Sequence, residues 1–180
     1  MFAIFFVIVF TYLVIWKTNH FKYLDLNWEK VRYGKLELYH TKILLTRYDG
    51  SKVIYNLYLR NDPRKLDIPI NANIRLKASN FTYITIDPDL QKCPGLSMSL
   101  VDLGGFLAAI KVKAKSALMN KTEAEKKQVP YITCKDKKYN SIITLEAVGK
   151  KADENYTQIL QNGDCFQIKI ANCEVRKAVE

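Results

Sequence analysis

Few residues in this sequence have the types and spacing that catalysis or metal binding requires. The 180-residue chain has two histidines, His20 and His40, and it contains no Cys-x-x-Cys or His-Glu-x-x-His motif. A structural zinc site needs four closely spaced nitrogen or sulfur ligands, so zinc binding is not expected. Phosphate-binding loops and the Gly-x-Ser-x-Gly nucleophile motif are also absent from the sequence. These observations predict a protein that is not an enzyme and has no cofactor.

Two carboxylates stand close together at Asp87 and Asp89, on either side of a proline. Such a pair is typical of acid–base catalysis or of calcium binding. Calcium binding would require further oxygen ligands at EF-hand spacing, and none follow. Asp-Pro-Asp is also a common turn sequence, so we interpret these residues as a solvated turn.

The four cysteines all lie in the second half of the chain. An even number at loose spacing favours two disulfides, for which three pairings exist. If Cys165 to Cys173 is one extended strand, its ends lie about 26 Å apart. A disulfide requires Cα atoms within about 7 Å of each other, so each of these two should bond to Cys93 or Cys134. Reduced, buried cysteines in a cytosolic domain are the alternative.

The strongest pattern is the uncharged N-terminal run from Met1 to Trp16. Sixteen helical residues span roughly 24 Å, slightly less than the ~30 Å hydrocarbon core of a bilayer. Lysine side chains just after the run, at Lys17 and Lys22, can extend toward the headgroups and close this gap. We therefore predict a transmembrane anchor at residues 1–16. Its apolar side chains are Phe2, Ile4, Phe5, Phe6, Ile8, Phe10, Leu13, Ile15 and Trp16.

Two other interpretations of this run are a cleaved signal peptide and a buried helix. Signal peptides carry small residues before the cleavage site, whereas Val14, Ile15 and Trp16 are bulky. A buried helix this apolar would have to be covered on every side. A retained anchor is therefore preferred.

The orientation of the predicted anchor rests on conflicting signals. The cations after it, such as Lys17, Lys22 and Arg32, favour a cytoplasmic domain under the positive-inside rule. Three glycosylation sequons and the four cysteines favour the opposite side. We expect the domain outside the membrane, with glycosylation acceptors at Asn80, Asn120 and Asn155.

The remainder is divided into a juxtamembrane linker at residues 17–35 and a disulfide-bonded ectodomain at 36–180. A hairpin is predicted around Asp49-Gly50, with Lys52 to Leu59 alternating apolar and polar residues. Further strands are expected at Asn73 to Ala78 and at Phe81 to Ile86. Three more follow, at Tyr131 to Cys134, Ser141 to Val148 and Cys165 to Ala171.

Between these strands, leucines and alanines recur at three- and four-residue steps from Ser99 to about Lys127 and predict one amphipathic helix. The expected fold class is α+β. It consists of a single N-terminal transmembrane helix followed by a small, mostly antiparallel β-sheet domain with one principal helix.

The predicted helix is rich in lysine, and the formal net charge of the whole chain is +10. A basic face of this kind can bind anionic lipid or nucleic acid. It can also be a solvated surface balanced by Glu123 and Glu125, so a nucleic-acid partner is not expected. The candidate face consists of Lys111, Lys113, Lys115, Lys126 and Lys127.

The aromatic-rich run Met1 to Trp16, followed by Lys17 and Lys22, resembles the N-terminal sorting segment of baculovirus occlusion-derived virion envelope proteins. In length and in its cysteine-bearing remainder, the chain is similar to the 19-kilodalton per os infectivity factors, the fourth such family. The resemblance implies a viral envelope structural protein, one subunit of a multi-protein entry complex required for oral infection of midgut cells. It implies no cofactor.

The same resemblance implies partners and a location. The partners would be other membrane-anchored envelope subunits and the lipid bilayer. The protein would be single-pass in the virion envelope, with its domain outside, after passing through host nuclear or endoplasmic-reticulum membranes during assembly.

Two alternatives remain open. One is a subunit of another viral fusion complex, such as that of poxviruses, and the other is a membrane-tethered basic module acting through Lys111 to Lys127.

Overall fold

The computed structural model describes residues 2–47, 49–72, 81–136, 141–148 and 156–180. The chain divides into two compact units, a first unit of Met1–Leu45 with Ile54–Leu66 and a second unit of Thr46–Val53 with Asp67–Glu180. The described helices are α1 (Phe2–Asn19), α2 (Leu96–Ala109), α3 (Lys121–Lys126) and α4 (Val175–Val179). The described strands are β1 (His20–Tyr23), β2 (Leu26–Tyr33), β3 (Leu36–Thr46), β4 (Lys52–Leu59), β5 (Ile70–Asn71), β6 (Phe81–Ile86), β7 (Lys113–Leu118), β8 (Ile142–Ala147), β9 (Gln158–Asn162) and β10 (Cys165–Ile170). The predicted strand at Asn73 to Ala78 lies outside the described residues.

The N-terminal run forms α1, a helix uninterrupted by glycine or proline. Within the described part of the chain, no helix has both the length and the apolarity to cross a membrane. The predicted anchor at residues 1–16 and the single-pass location in the virion envelope are therefore wrong. The apolar stretch is short for a bilayer core, and the last turn of α1 is polar, with Lys17, Thr18 and Asn19.

The first unit contains a four-stranded sheet in the order β1-β2-β3-β4. Residues 17–35, predicted as a linker, form the end of α1 and the strands β1 and β2. The pairs β1–β2 and β2–β3 are antiparallel. A two-residue turn joins β1 to β2, and both of its residues, Leu24 and Asp25, have positive φ, as tight hairpins require.

Trp28 is buried in the first unit, with 5% of its surface exposed. Phe21 on the neighbouring strand stacks on it, and the Arg64 guanidinium lies 3.9 Å from the Phe21 ring centroid. Strand β4 alternates exposed and half-buried residues up to the buried Leu59. The predicted hairpin is confirmed, since β3 and β4 are hydrogen-bonded neighbours and Gly50 has a φ of +80°.

The second unit contains a six-stranded sheet in the order β5-β9-β10-β8-β6-β7. Neighbouring strands are parallel in four of the five pairings, and only β9–β10 is antiparallel. The prediction of a mostly antiparallel sheet with one principal helix is wrong here. The central strand β8 has four consecutive buried residues, Ile142 to Leu145, because both of its faces are covered. Continuous burial of this kind is typical of parallel sheets.

The long helix predicted from Ser99 to Lys127 is also wrong, because α2 ends at Ala109 and is followed by strand β7. Two backbone hydrogen bonds close the helix end, from the Val112 N–H to the Leu107 carbonyl and from the Lys111 N–H to the Ala108 carbonyl. This pattern requires a left-handed residue, and Lys111 adopts it with a φ of +63°. Helix α2 thereby serves as the crossover between the parallel strands β6 and β7.

The core of the second unit lies mainly between the sheet and the helices α2 and α4. Leu107 of α2, Leu145 of β8 and Val175 of α4 are fully buried in it. A second, smaller cluster includes Tyr83, Ala117 and Ile142. Helix α4 is held to α2 by an ion pair between Arg176 and Asp102, at 3.2 Å.

Candidate interaction surfaces

Helix α1 exposes large apolar side chains around its whole circumference. The exposed fraction ranges from 39% at Val9 to 73% at Phe6. The predicted anchor residues with described side chains share this exposure, and they are Ile4, Phe5, Phe6, Ile8, Phe10, Leu13, Ile15 and Trp16. Phe2 belongs to the helix, but its side chain lies outside the description. The segment that was predicted to span a membrane is thus an uncovered helix in the structure.

The two cations predicted to flank this segment lie on different elements. Lys17 is in the last turn of α1. Lys22 is on β1, and its Nζ lies 3.6 Å from Asp25 Oδ1 in the adjoining turn. The two lysines therefore do not form one positively charged cluster at the end of the helix.

The four cysteines form two disulfides, as predicted. Cys93 is bonded to Cys173 with a Cα–Cα distance of 5.2 Å, and Cys134 is bonded to Cys165 at 5.5 Å. Cys165 and Cys173 each bond to an earlier cysteine, as expected, although the single extended strand assumed between them is not formed. Cys165 begins β10, whereas Cys173 lies beyond the end of that strand.

The five lysines of the predicted basic face lie on several elements. Lys111 terminates α2, and its Nζ donates to Asp49 Oδ2 at 2.6 Å. Lys113 and Lys115 lie on β7, while Lys126 ends α3 and Lys127 follows it, with its Nζ donating to Gln91. They therefore do not share one helix face. Binding of anionic lipid or nucleic acid through them remains a prediction.

The carboxylate of Asp49 is held by this lysine and by the turn that contains it. The hydrogen bond from Lys111, assisted by hydrogen bonds from Ser51, keeps the pKa of the Asp49 carboxyl well below its usual range. The turn Thr46–Val53 also contacts the end of α2 through Arg47, whose Nε donates to the Ala109 carbonyl. Asp49 is thus committed to a structural ion pair.

Asp87 likewise has a structural role. Its Oδ1 accepts from the Asp89 N–H, capping a short 3-10 helix at Pro88–Lys92, and its Oδ2 accepts from the Ala147 N–H. Asp87 is occupied by backbone groups, so it does not form an acid–base pair with Asp89. In the described ranges, no set of three or more His, Cys, Asp or Glu residues is arranged to hold a metal ion.

One of the three predicted glycosylation acceptors lies within the described residues. Asn120 is exposed at the start of α3, where its Oδ1 accepts from the Glu123 N–H at 3.1 Å and caps the helix. Asn80 and Asn155 lie outside the described residues. Glycosylation remains a prediction for all three.

The structure brings together both histidines of the chain, which sequence reasoning missed. Glu29 on β2 is paired in register with His20 on β1 and with His40 on β3, so the three side chains form a row across the sheet. His40 Nδ1 lies 2.7 Å from Glu29 Oε1, and His20 Nε2 lies 4.0 Å from Glu29 Oε2. This row depends on the pairing of β1 and β2, which lie within residues 17–35, and on the pairing of β2 with β3. The prediction of a linker there concealed it.

Ring nitrogens of both histidines lie close to other protein groups. The second ring nitrogen of His40 lies 3.2 Å from Asn56 Oδ1, and its ring stacks on Tyr58. His20 Nδ1 lies 3.0 Å from the Trp16 carbonyl oxygen. Beside the row is an open cavity of about 460 Å³, lined by polar residues and by Leu26 and Trp28. Among the described residues that line it, Thr41 supplies the one hydroxyl, which donates to the Asn27 carbonyl.

Comparison of the chain with protein-family models, with curated protein sequences and with solved structures gives no match.

Proposed function

We propose that this protein is a non-catalytic subunit of a multi-protein assembly, and that partner proteins of that assembly cover α1. The observation that carries this proposal is the exposure of the helix on all sides. Fully burying one large apolar side chain is worth about 1.5–3 kcal/mol. A helix that is apolar all round is stable where it is enclosed, and large exposed apolar surfaces mark interaction sites.

The two threonine hydroxyls of α1 are compatible with such burial. The hydroxyl of Thr11 donates to the Val7 carbonyl, and that of Thr18 donates to the Val14 carbonyl, each at 2.7 Å. A partner that encloses the helix therefore leaves neither hydroxyl unpaired, which would otherwise cost about 1–3 kcal/mol each. Charge enters only at Lys17, in the last turn.

Two further points support a role in assembly. The candidate acid–base groups are engaged in structural contacts, since His40 is held between Glu29 and Asn56 and Asp87 caps a helix. The N-terminal segment that carries the resemblance to baculovirus per os infectivity factors is the same exposed helix. We accordingly propose that the assembly is a viral cell-entry complex of the kind needed for oral infection.

Site-specific photo-crosslinking of the full chain tests this proposal. A photoreactive residue replaces Phe6 or Phe10, and the protein is produced in the cells that naturally make it. The matched control places the same residue at Leu24, which is 77% exposed but lies in the β1–β2 turn. We expect both α1 positions to crosslink to the same small set of proteins in fixed ratio, and the Leu24 position not to do so.

Two outcomes would overturn the proposal. One is crosslinking of the α1 positions to lipid alone, which would mean that acyl chains rather than proteins cover the helix. The other is a set of crosslinked proteins that is the same for Leu24 as for Phe6, which would indicate nonspecific proximity. The variant Ile8→Glu provides a second readout, because a buried charge in α1 should release the partners without unfolding the disulfide-bonded second unit.

A further inference from the structure

The edge strand β7 of the second unit has a row of exposed lysines beside unpaired backbone groups. β7 is the last strand of the six-stranded sheet and pairs in parallel with β6. Its first four residues, Lys113 to Ser116, are exposed, whereas Ala117 and Leu118 are buried. The free part of the edge is therefore the beginning of the strand.

The hydrogen-bond pattern shows which backbone groups face outward. The Met119 N–H donates to the Ile86 carbonyl on β6, so the odd-numbered residues of β7 bond to the sheet. Leu118 faces the other way, and its N–H and carbonyl bond to Pro130 and Ile132. Because backbone direction alternates along a strand, Ala114 and Ser116 also point outward. Within the described part of the chain, neither residue has a hydrogen-bond partner on that side.

The chain itself already adds a short extended segment to this edge. Tyr131 forms a parallel bridge with Leu118, next to the two hydrogen bonds of Pro130 and Ile132. The free stretch Lys113 to Ser116 continues the same edge in the N-terminal direction. An extended segment bound there would make the bonds that the Pro130–Ile132 segment makes further along.

The lysines determine the charge of a segment that fits. Lys113 and Lys115 are two residues apart on one face of β7, about 7 Å from each other along the strand. Lys115 Nζ lies 3.9 Å above the Phe81 ring, and in the described ranges no carboxylate forms an ion pair with either lysine. Edge lysines oppose pairing with neutral or basic strands. Facing carboxylates would instead gain cross-strand attraction.

We propose that the Lys113–Ser116 edge of β7 binds an extended acidic segment of a partner protein by strand addition, with acidic residues at every second position. The segment would hydrogen-bond to Ala114 and Ser116 and place its carboxylates beside Lys113 and Lys115. This surface consists of residues of β7 and includes none of α1. The proposal of strand addition is therefore tested independently of the proposal that partner proteins bind α1.

Peptide binding to the full, disulfide-bonded chain tests the proposal. The probe is a fluorescent seven-residue peptide in which glutamate alternates with valine. The control peptide has the same composition with its glutamates consecutive. We expect binding of the alternating peptide at least about tenfold tighter than binding of the control, because only alternation presents every carboxylate to the lysine face. Equal binding of the two peptides would overturn the proposal.

Three variants separate the contributions. Ser116→Pro removes an outward N–H that the native sheet does not use, so it should abolish binding while leaving the fold intact. Lys113→Gln with Lys115→Gln should weaken binding about tenfold. Lys121→Gln with Lys126→Gln removes the same charge from α3 and should leave binding unchanged. Unchanged binding in the Ser116→Pro variant would exclude strand addition.

Hydrogen exchange of the unmodified protein provides a readout that does not depend on any variant folding. Peptide binding by strand addition should slow amide exchange at Ala114 and Ser116. A purely electrostatic contact would leave both rates unchanged, and that result would overturn the proposal. A thymidine oligonucleotide is the third probe. If it displaced the peptide at equal phosphate and carboxylate concentration, the surface would bind polyanions in general, and the proposal of strand addition would be overturned.

Discussion

At the scale of single residues, two fully buried threonines on neighbouring strands differ in what their hydroxyl groups contact. Thr85 on β6 is paired in register with Thr144 on β8. The Thr144 hydroxyl donates to Glu146 Oε1 at 2.6 Å. The Thr85 hydroxyl has no partner within the described residues. A buried hydroxyl without a hydrogen bond destabilises the folded state by about 1–3 kcal/mol.

Replacing each threonine with valine should therefore have opposite effects. We expect Thr85→Val to raise the free energy of unfolding by about 1 kcal/mol, since it removes an unpaired hydroxyl at nearly constant shape. Thr144→Val should lower it by about 1 kcal/mol, because Glu146 loses a donor. Urea unfolding with the disulfides intact measures both. A destabilised Thr85→Val variant would show that the hydroxyl is satisfied by a buried water.

Asp62 gives the first unit a pH dependence with a defined sign. Its side chain is 8% exposed and accepts from Arg64, whose hydrogen bond lowers the pKa of the carboxyl below its ordinary value. Because the pKa of the Asp62 carboxyl is lower in the folded state, the carboxyl stabilises the fold at pH values above its unfolded-state pKa of about 3.9. That stabilisation disappears as the pH falls through the folded-state pKa.

The variant Asp62→Asn should accordingly be less stable than the native chain at pH 7, and the difference should shrink as the pH is lowered from about 4 toward 2. Thermal unfolding monitored across this range provides the measurement. Asp67→Asn is a control that removes a nearby carboxylate of the same type. A difference between native and Asp62→Asn that stays constant with pH would rule out the Arg64 pair as its source.

At the scale of elements, the two faces of helix α2 should contribute differently to the free energy of unfolding. Leu107 is fully buried against the sheet of the second unit, while Val101 is 65% exposed. Leu107→Ala should lower the free energy of unfolding by about 3 kcal/mol through lost contacts and a residual cavity. Val101→Ala should change it by less than about 0.5 kcal/mol. Comparable losses in the two variants would mean that the exposed face of α2 is covered in solution.

The same region shows how far local patterns determine elements. The sequence predicted β6, β8 and β10 within one or two residues, because their β-branched and aromatic residues leave few alternatives. Strand β7 was predicted as helix because its lysines, alanines and leucine are strong helix formers. What ends α2 is Lys111 in a left-handed conformation, a position normally taken by glycine. The residues that follow then pair with β6 as strand β7. This pairing is a tertiary interaction, and local helix propensity does not predict it.

At the scale of the whole molecule, the two disulfides were the most predictable part of the candidate sites, because four loosely spaced cysteines favour two bridges. The exclusion of a Cys165–Cys173 bond was correct, but the strand on which it relied ends at Ile170. The row of Glu29, His20 and His40 was not predictable, since it requires the register of three strands in a segment that its composition assigns to a membrane surface. The outward edge of β7 was not predictable either, because the helix-forming residues of this segment predicted a helix instead of a strand.

The two disulfides should contribute similarly to the stability of the second unit. They close loops of 80 and 31 residues, which corresponds to about 4 kcal/mol for each in the chain-entropy picture. We expect Cys93→Ser with Cys173→Ser, and separately Cys134→Ser with Cys165→Ser, to lower the urea midpoint substantially. The midpoint of the unreduced native chain is the reference. A pair whose removal leaves the midpoint unchanged would not be formed in the mature protein.

The spans of the two bridges are nested, since the segment between Cys93 and Cys173 contains both Cys134 and Cys165. A protease that cuts the backbone once anywhere between Cys93 and Cys173 therefore releases no fragment. The nicked molecule would migrate as an intact chain on a gel without reductant and separate into two pieces only after the sulfurs are reduced. A single cleavage in this region would thus leave its pieces covalently attached.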